Sequence, residues 1–163
     1  GNLIDAPTAA LMAERGAFAV PTLITYEALA RDGARLGLGA ESVAKIEQVR
    51  AAGLKSLEIL KTAGVRMAYG TDLLGASHDL QSEEFLIRAQ VQSNLEVLQS
   101  ATLIGAELLN QVGVIGEIAS GARADLLLVD GNPLADLACL TGQGERIPLV
   151  MQGGKLRVNE LRA

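Results

Sequence analysis

The sequence predicts an α/β fold on three observations. A long amphipathic helix pattern runs from Glu41 to Gly64, a short apolar run at residues 65–70 follows it, and β-rich segments appear after Gly113. A helix that leads into a buried strand is the repeating unit of α/β proteins. The 163 residues can form a real core, but a closed (β/α)8 barrel needs about 250. We therefore expect either a smaller α/β fold or a piece of a larger one.

The amino-terminal elements are predicted from a cap and an apolar run. Asp5 is placed to cap a helix that ends at Gly16. The apolar residues 17–24 predict a buried strand, in which Pro21 limits ladder pairing. Residues 26–34 then predict a short helix, which a glycine-containing break separates from the next element.

The pattern from Glu41 predicts a helix with one core face. Its apolar positions fall within about 140° of arc when each residue advances by about 100°, and they are Val43, Ile46, Val49, Leu54, Leu57 and Leu60. Gly64 suits the end of this helix, so residues 65–70 form a strand with Asp72 at its carboxyl end. The sequence therefore predicts a helix followed by a strand, with the acid Asp72 at the end of the strand.

Helices and then short strands are expected in the rest of the chain. After a polar loop at residues 73–80, a helix begins at Ser82, and Ser100 is expected to cap a further helix through Asn110. Beyond Gly113 we predict a second substructure, with strands at 124–129, 147–152 and 155–159. Gly153 and Gly154 suit a two-residue hairpin turn between the last two strands.

Composition excludes several classes of function. The net charge is −5, from 19 acids and 14 bases, which argues against a nucleic-acid partner. No apolar run approaches the roughly 18 residues of a membrane helix, and Asp5 and Glu14 do not suit a secretory signal. We expect a cytoplasmic protein without a membrane partner. Cys139 is the single cysteine, which excludes an internal disulfide and a cysteine-based zinc site.

Two short motifs do not carry the chemistry that they superficially suggest. Residues 37–42 lack the third glycine of a dinucleotide loop. Residues 75–79 place Ser77, His78 and Asp79 together, but they lack the glycine that follows the serine of a nucleophile elbow. His78 is the only histidine, so this chain alone cannot supply the imidazoles that a catalytic zinc usually requires.

Asp72 has two interpretations. An acid after a strand commonly caps the next turn by accepting a backbone N–H. Alternatively, a carboxylate at a strand end can bind a metal and take a proton from an attacking water, because it is held rigidly and faces an open edge. The residues around Asp72 decide between these two roles.

Three motifs resemble a metal-dependent amidohydrolase over nearly the whole chain. Residues 69–72 are similar to the G-T/S-D signature of barrel strand 8, and residues 101–107 to the A-T-x-x-x-A-x helix that follows it. Residues 115–134 match I-G-x-I-x-x-G-x-x-A-D-L-x-x-x-D-x-N-P-L, where the family enters a small β-sandwich. The openings at residues 2–5 and 20–26 resemble the branch of imidazolonepropionase-like enzymes, Xaa-Pro dipeptidases and carboxypeptidases that release basic residues.

The resemblance implies the C-terminal part of an amidohydrolase-type (β/α)8 barrel. Residues 1–112 would contain strands 7 and 8 with their helices, and residues 113–163 would complete part of the β-sandwich. Such enzymes hydrolyse C–N bonds of amides or dipeptides with one or two divalent metals, usually zinc, held by histidines, a carboxylated lysine and the strand-8 aspartate. Only that aspartate, Asp72, is present here, so we expect the isolated chain to be inactive.

The resemblance also implies secondary roles and an alternative. Asp72 would be both the metal ligand and the general base, while His78 and Tyr26 are weaker candidates for contacts with the substrate. An exposed loop histidine and a packing tyrosine are the simpler interpretations of those two residues, and Glu83 and Glu84 suit the first turn of a helix. The alternative function is a non-catalytic half-barrel that associates with itself or with a partner, since two strands without neighbours expose their edges. The absence of an initiating Met favours a partial chain over a short natural protein.

Overall fold

The computed structural model describes residues 2–33 and 37–161, which form helices around a small parallel strand pair, followed by an antiparallel sheet. The helices are α1 (Ala6–Glu14), α2 (Leu23–Asp32), α3 (Ala40–Thr62), α4 (Glu84–Arg88), α5 (Asn94–Ala101) and α6 (Leu103–Leu108). The strands are β1 (Phe18–Ala19), β2 (Arg66–Met67), β3 (Leu126–Leu128), β4 (Leu149–Gln152) and β5 (Lys155–Asn159). Short 3₁₀ helices occupy Gly75–Glu83, Leu137–Leu140 and Gly142–Gly144.

Strands β1 and β2 pair in parallel, with Phe18 opposite Arg66. Both are shorter than the apolar runs at 17–24 and 65–70 predict. The first run ends early because α2 already begins at Leu23, two residues after Pro21, which has no N–H for a ladder. The apolar character of these runs therefore indicated burial correctly and strand length wrongly.

The main core lies between this strand pair and the helices. Its buried members are Ala9, Leu23, Leu57, Leu60, Val65 and Met67. In α3, the predicted face is buried at Leu57 and Leu60 but only half-buried at Val43. Asp5 caps α1 as predicted, with its carboxylate accepting the N–H of Thr8 at 2.9 Å. Asp5 and the buried positions of α3 therefore fix how both helices pack around β1 and β2.

Three predictions for the segment after β2 are wrong. The polar loop expected at 73–80 is largely a 3₁₀ helix, and α4 begins at Glu84 instead of Ser82. The helix cap in this region is Ser93, whose hydroxyl accepts the N–H of Glu96 in a capping box. Ser100 instead lies buried at the end of α5 and donates to the carbonyl of Val97 at 2.6 Å. The predicted end of the helix at 26–34 lies outside the described residues, since α2 is described to Asp32.

The carboxyl-terminal strands form an antiparallel sheet in the order β3-β4-β5. Gly153 and Gly154 join β4 to β5 with φ of 56° and 76°, the positive values that this tight turn requires. The predicted hairpin is therefore confirmed, although β3 is shorter than residues 124–129. Among the helices of residues 2–33 and 37–161, none is long and apolar enough to cross a membrane.

Candidate functional site

The candidate site lies where the chain leaves the carboxyl ends of β1 and β2. The N–H of Ala68 donates to the carbonyl of Ala19 at 2.9 Å, so the two chains stay together past the paired residues. Gly70 permits a close approach, because a Cβ there would lie 2.5 Å from Cγ1 of Val20. The hydroxyl of Thr25, in the first turn of α2, donates to the carbonyl of Thr71. These contacts join α2 to the residue that precedes Asp72.

Asp72 adopts a left-handed backbone conformation with φ of 51°, and its side chain is exposed. Its carboxylate accepts no hydrogen bond within residues 2–33 and 37–161. The 3₁₀ helix that follows begins after Leu74 and has no side-chain cap. The capping interpretation of Asp72 is therefore not what the structure shows, and both carboxylate oxygens remain available to a ligand.

The other two candidates lie on elements that follow the strand ends. His78 is exposed on the 3₁₀ helix Gly75–Glu83, and Tyr26 is half-buried in the first turns of α2. Neither side chain is hydrogen-bonded to Asp72 among the described residues. The structure thus places all three residues beyond the same pair of strand ends without joining them by direct bonds.

A cleft of about 470 Å³ borders this region. One wall is formed by residues 69–71, which follow β2, and the opposite wall includes Gln143 and Ile147 from the carboxyl-terminal part. The hydroxyl of Tyr69 donates to the carbonyl of Gln81 at 2.7 Å, which ties the 3₁₀ helix to the strand end. Asp72, Tyr26 and His78 do not line this cleft. It borders the candidate site through Gly70 and Thr71.

Glu84 is a fully buried acid, and the sequence revealed neither its burial nor its hydrogen-bond partner. It stands in the first turn of α4, as predicted, but its Oε2 accepts the N–H of Ile24 at 2.7 Å, at the start of α2. Burial raises the pKa of Glu84 to about 7, while the N–H groups of Ile24 and Leu23 and the charge of Arg88 act in the opposite direction. The available signal was an acid and an arginine four positions apart in an otherwise apolar helix.

Arg88 is equally buried one turn later in α4. Its Nη1 donates to the carbonyl of Ala68 at 3.1 Å and to Oγ of Ser100 at 3.2 Å, and its Nε donates to Gln92 at 2.9 Å. Burial lowers the pKa of Arg88 and raises that of Tyr69, whose ring centroid lies 5.9 Å from the guanidinium carbon. Oε1 of Glu84 and Nη2 of Arg88 have no hydrogen-bond partner among the described residues.

A metal site would need donors beyond those of this segment. Among residues 2–33 and 37–161, no group of three or more His, Cys, Asp or Glu side chains could hold an ion. Protein zinc sites use three or four ligands. The Asp72 carboxylate, exposed and without a hydrogen bond from the described residues, has the chemistry of one ligand in such a set.

Comparisons with known proteins agree on one family. The protein-family model with the description "Amidohydrolase family" matches residues 2–156 of this chain. A solved amidohydrolase is 58% identical to the chain, with a TM-score of 0.96 over 99% of this chain and 39% of that one. A solved prolidase, complexed with N-methylphosphonate-L-proline, is 52% identical, with a TM-score of 0.94 over 98% of this chain and 39% of that one.

A curated relative is similar over most of this chain. Ochratoxinase from Aspergillus niger is 30% identical over 148 residues, which cover 90% of this chain and 30% of the relative. The chain thus spans about a third of the curated relatives it matches and 39% of the two solved proteins.

Proposed function

Because the chain belongs to the amidohydrolase family, we propose that it is the C-terminal part of a metal-dependent enzyme that hydrolyses C–N bonds. The observation that carries this proposal is the Asp72 carboxylate, which lies five residues beyond parallel strand β2, is exposed, and accepts no hydrogen bond from the described residues. The carboxyl ends of parallel strands are where barrel enzymes place catalytic groups. The similarity to a prolidase favours a dipeptide with proline on the carboxyl side as the substrate.

In the proposed reaction Asp72 moves one proton. A carboxylate oxygen of Asp72 takes a proton from water as the water oxygen bonds to the carbonyl carbon, and the proton passes to the leaving nitrogen as the C–N bond breaks. Asp72 is also the one metal ligand that we assign to this segment. A bound divalent ion, for which we propose zinc, would polarise the carbonyl and lower the pKa of the water.

We assign β1 and β2 to strands 7 and 8 of the barrel. Their parallel pairing and the helices that follow each of them support this assignment. Residues 1–112 would then be the barrel portion and residues 113–163 part of the β-sandwich, which the antiparallel order β3-β4-β5 supports. His78 and Tyr26, which follow the two strand ends, remain our candidates for contacts with the substrate.

The test uses the full-length enzyme that carries this segment. Purified protein is assayed for metal content by mass spectrometry and for hydrolysis of a panel of Xaa-Pro dipeptides. We expect Asp72→Asn to lower kcat/KM by about a thousandfold, because it removes the proton acceptor, and to release metal. Asp130→Asn makes the same chemical change at an exposed carboxylate in the carboxyl-terminal part and should retain both. Equal metal content and equal rates in the two variants would refute the role of Asp72.

The second candidate function is association without catalysis. It is supported by the short β1-β2 pair, which leaves open edges, and by exposed apolar residues such as Leu127 and Leu156, at 58% and 50% exposure. We propose that these surfaces pair with the remainder of the barrel and sandwich or with a second copy. Association is a separate role only if the full-length enzyme proves inactive.

A further inference from the structure

Glu84 supplies the amino-terminal cap of a helix to which it does not belong. Thr22, which precedes α2, makes no side-chain cap, although the first N–H groups of a helix need partners from outside it. The Glu84 carboxylate fills this need from 60 positions away by accepting the N–H of Ile24. Above its pKa of about 7 the Glu84 carboxylate is charged, and the helix dipole then favours it at this end of α2. The start of α2 is therefore held by α4.

Arg88 holds the other strand end from the same helix. Its guanidinium donates to the carbonyl of Ala68, directly after β2, and to Ser100 at the end of α5. The N–H of Tyr69 donates to the carbonyl of Ser100 at 3.0 Å, so the chain is fixed on both sides of the Ala68–Tyr69 peptide. α4 thus bonds both to the helix that follows β1 and to the chain that leaves β2.

These contacts converge on Asp72 through a continuous path. Glu84 fixes Ile24, and the adjacent Thr25 donates its hydroxyl to the carbonyl of Thr71. Asp72 follows immediately, in a left-handed conformation that an aspartate adopts at some cost in energy. A strained conformation persists only where the surrounding contacts determine it. The bond from Thr25 is the contact next to this strained residue.

Stability alone does not account for a buried acid and a buried arginine here. No ion pair joins Glu84 to Arg88 among the described residues, and each leaves one polar atom unpartnered. Buried charged groups arranged in this way cost free energy, and apolar side chains of similar volume would usually be at least as stable. What Glu84 and Arg88 provide that apolar side chains could not is directed hydrogen bonds to Ile24 and Ala68.

We propose that Glu84 and Arg88 are positioning residues that set the placement of the Asp72 carboxylate through the first turn of α2 and the end of β2. They do not touch the reacting atoms. The expected change in kcat rests on the proposed function. The expected change in amide hydrogen exchange rests on the hydrogen-bonded path alone.

The experiment compares Glu84→Gln, Glu84→Ala and the control Glu83→Gln in the full-length enzyme. Glu83 is the adjacent residue and its side chain makes no hydrogen bond to the described part of the chain, so its variant should behave like wild type. We expect Glu84→Gln to lower kcat about tenfold, and Glu84→Ala about a hundredfold, with KM nearly unchanged, because misplacing a catalytic group affects the chemical step. kcat is expressed per folded molecule, because partial unfolding would also lower the apparent kcat at an unchanged KM.

Amide hydrogen exchange provides the readout that does not depend on activity. At pH 8, above the Glu84 pKa of about 7, we expect Glu84→Gln to accelerate exchange about tenfold at residues 23–25 and 70–73, because a charge-assisted hydrogen bond becomes a neutral one. Exchange in the β4-β5 hairpin should not change.

Accelerated exchange in an enzyme that cleaves no C–N bond would refute the proposed function and keep the positioning role. Unchanged exchange at 70–73 in a folded Glu84 variant, or an unchanged kcat in an active one, would overturn the inference. If Glu84→Ala does not fold, Glu84→Gln alone decides.

Discussion

Asp72 and Glu84 are two acids that the fold treats in opposite ways. Asp72 is exposed with an unbonded carboxylate, whereas Glu84 is fully buried and bonded to a backbone N–H. The sequence pointed to Asp72 because the acid follows an apolar run within a recognisable motif. It did not point to the role of Glu84, because the partner Ile24 lies in another helix and only the tertiary fold brings them together.

Burial of Glu84 predicts a specific dependence of stability on pH. Its pKa in the folded protein is about 7, against an ordinary value of 4.5, so the folded state binds more protons than the unfolded state between these values. The stability contributed by the neutral acid is therefore complete below pH 4.5 and is lost as the pH rises to about 7. The full change corresponds to about 3 kcal/mol. The positive charge of Arg88 opposes this rise in the pKa of Glu84. The Tyr69 hydroxyl stays neutral between pH 4.5 and 7, because its own pKa lies above this range.

Urea denaturation at pH 5 and pH 8 checks this prediction. The unfolding free energy of wild type, taken relative to Glu84→Gln, should fall between the two pH values, because glutamine does not titrate. Parallel pH profiles for both proteins would show that Glu84 titrates as an ordinary exposed acid does.

For helices, strands and turns, features that depend on neighbouring residues in the sequence could be predicted, and features that depend on distant residues could not. The Asp5 cap, the end of α3 near Gly64 and the Gly153-Gly154 turn depend on neighbouring residues, and all three are present. The capping box from Ser93 to Glu96 has the Ser-x-x-Glu pattern and was equally predictable. Strand length was not, because β1 ends before Pro21 and α2 already begins at Leu23, where the acceptor for the N–H of Ile24 is the distant Glu84.

Gly116 should be far more sensitive to substitution than its neighbour Gly113. Both have positive φ, 82° and 78°, so alanine is strained at either position. Only at Gly116 would the new Cβ also collide with backbone, 2.5 Å from the carbonyl oxygen of Thr102 at the start of α6. We expect Gly113→Ala to cost about 1 kcal/mol and Gly116→Ala to cost about 3 kcal/mol or more, because backbone must move.

Thermal or urea unfolding of the two glycine variants measures this difference. Matched losses in Gly113→Ala and Gly116→Ala would mean that the residues after α6 do not pack against Thr102. The glycine of the I-G-x-I motif would then be explained by its backbone angle alone.

For the whole molecule, family and fold class could be predicted, while the complete site could not. Residues 115–134 carry enough of a family pattern to place the chain, and the family match covers residues 2–156. The candidate site remains incomplete, because the described residues contain no group of three or more His, Cys, Asp or Glu side chains that could hold a metal ion. If β1 and β2 belong to a barrel, as we propose, the site is assembled from several strand ends and this chain contributes only a part of it.

We expect this segment, expressed alone, to self-associate. The exposed Leu127 on β3 and the open edges of β1 and β2 favour contacts with another chain over contacts with water. Analytical ultracentrifugation should show a dimer or larger species, and co-expression with the remainder of the barrel should replace it with a mixed complex. A stable monomer at high concentration would contradict the association proposal.

The two kinds of strand pairing also set an order of events during folding. β4 and β5 are joined by two glycines, so their hairpin needs only local loop closure and can form within about 10 microseconds. β1 and β2 pair Phe18 with Arg66 across the whole of α2 and α3, which carries a larger entropic cost of closure. The site at the ends of β1 and β2 should therefore be completed late, after the hairpin at the carboxyl terminus already exists.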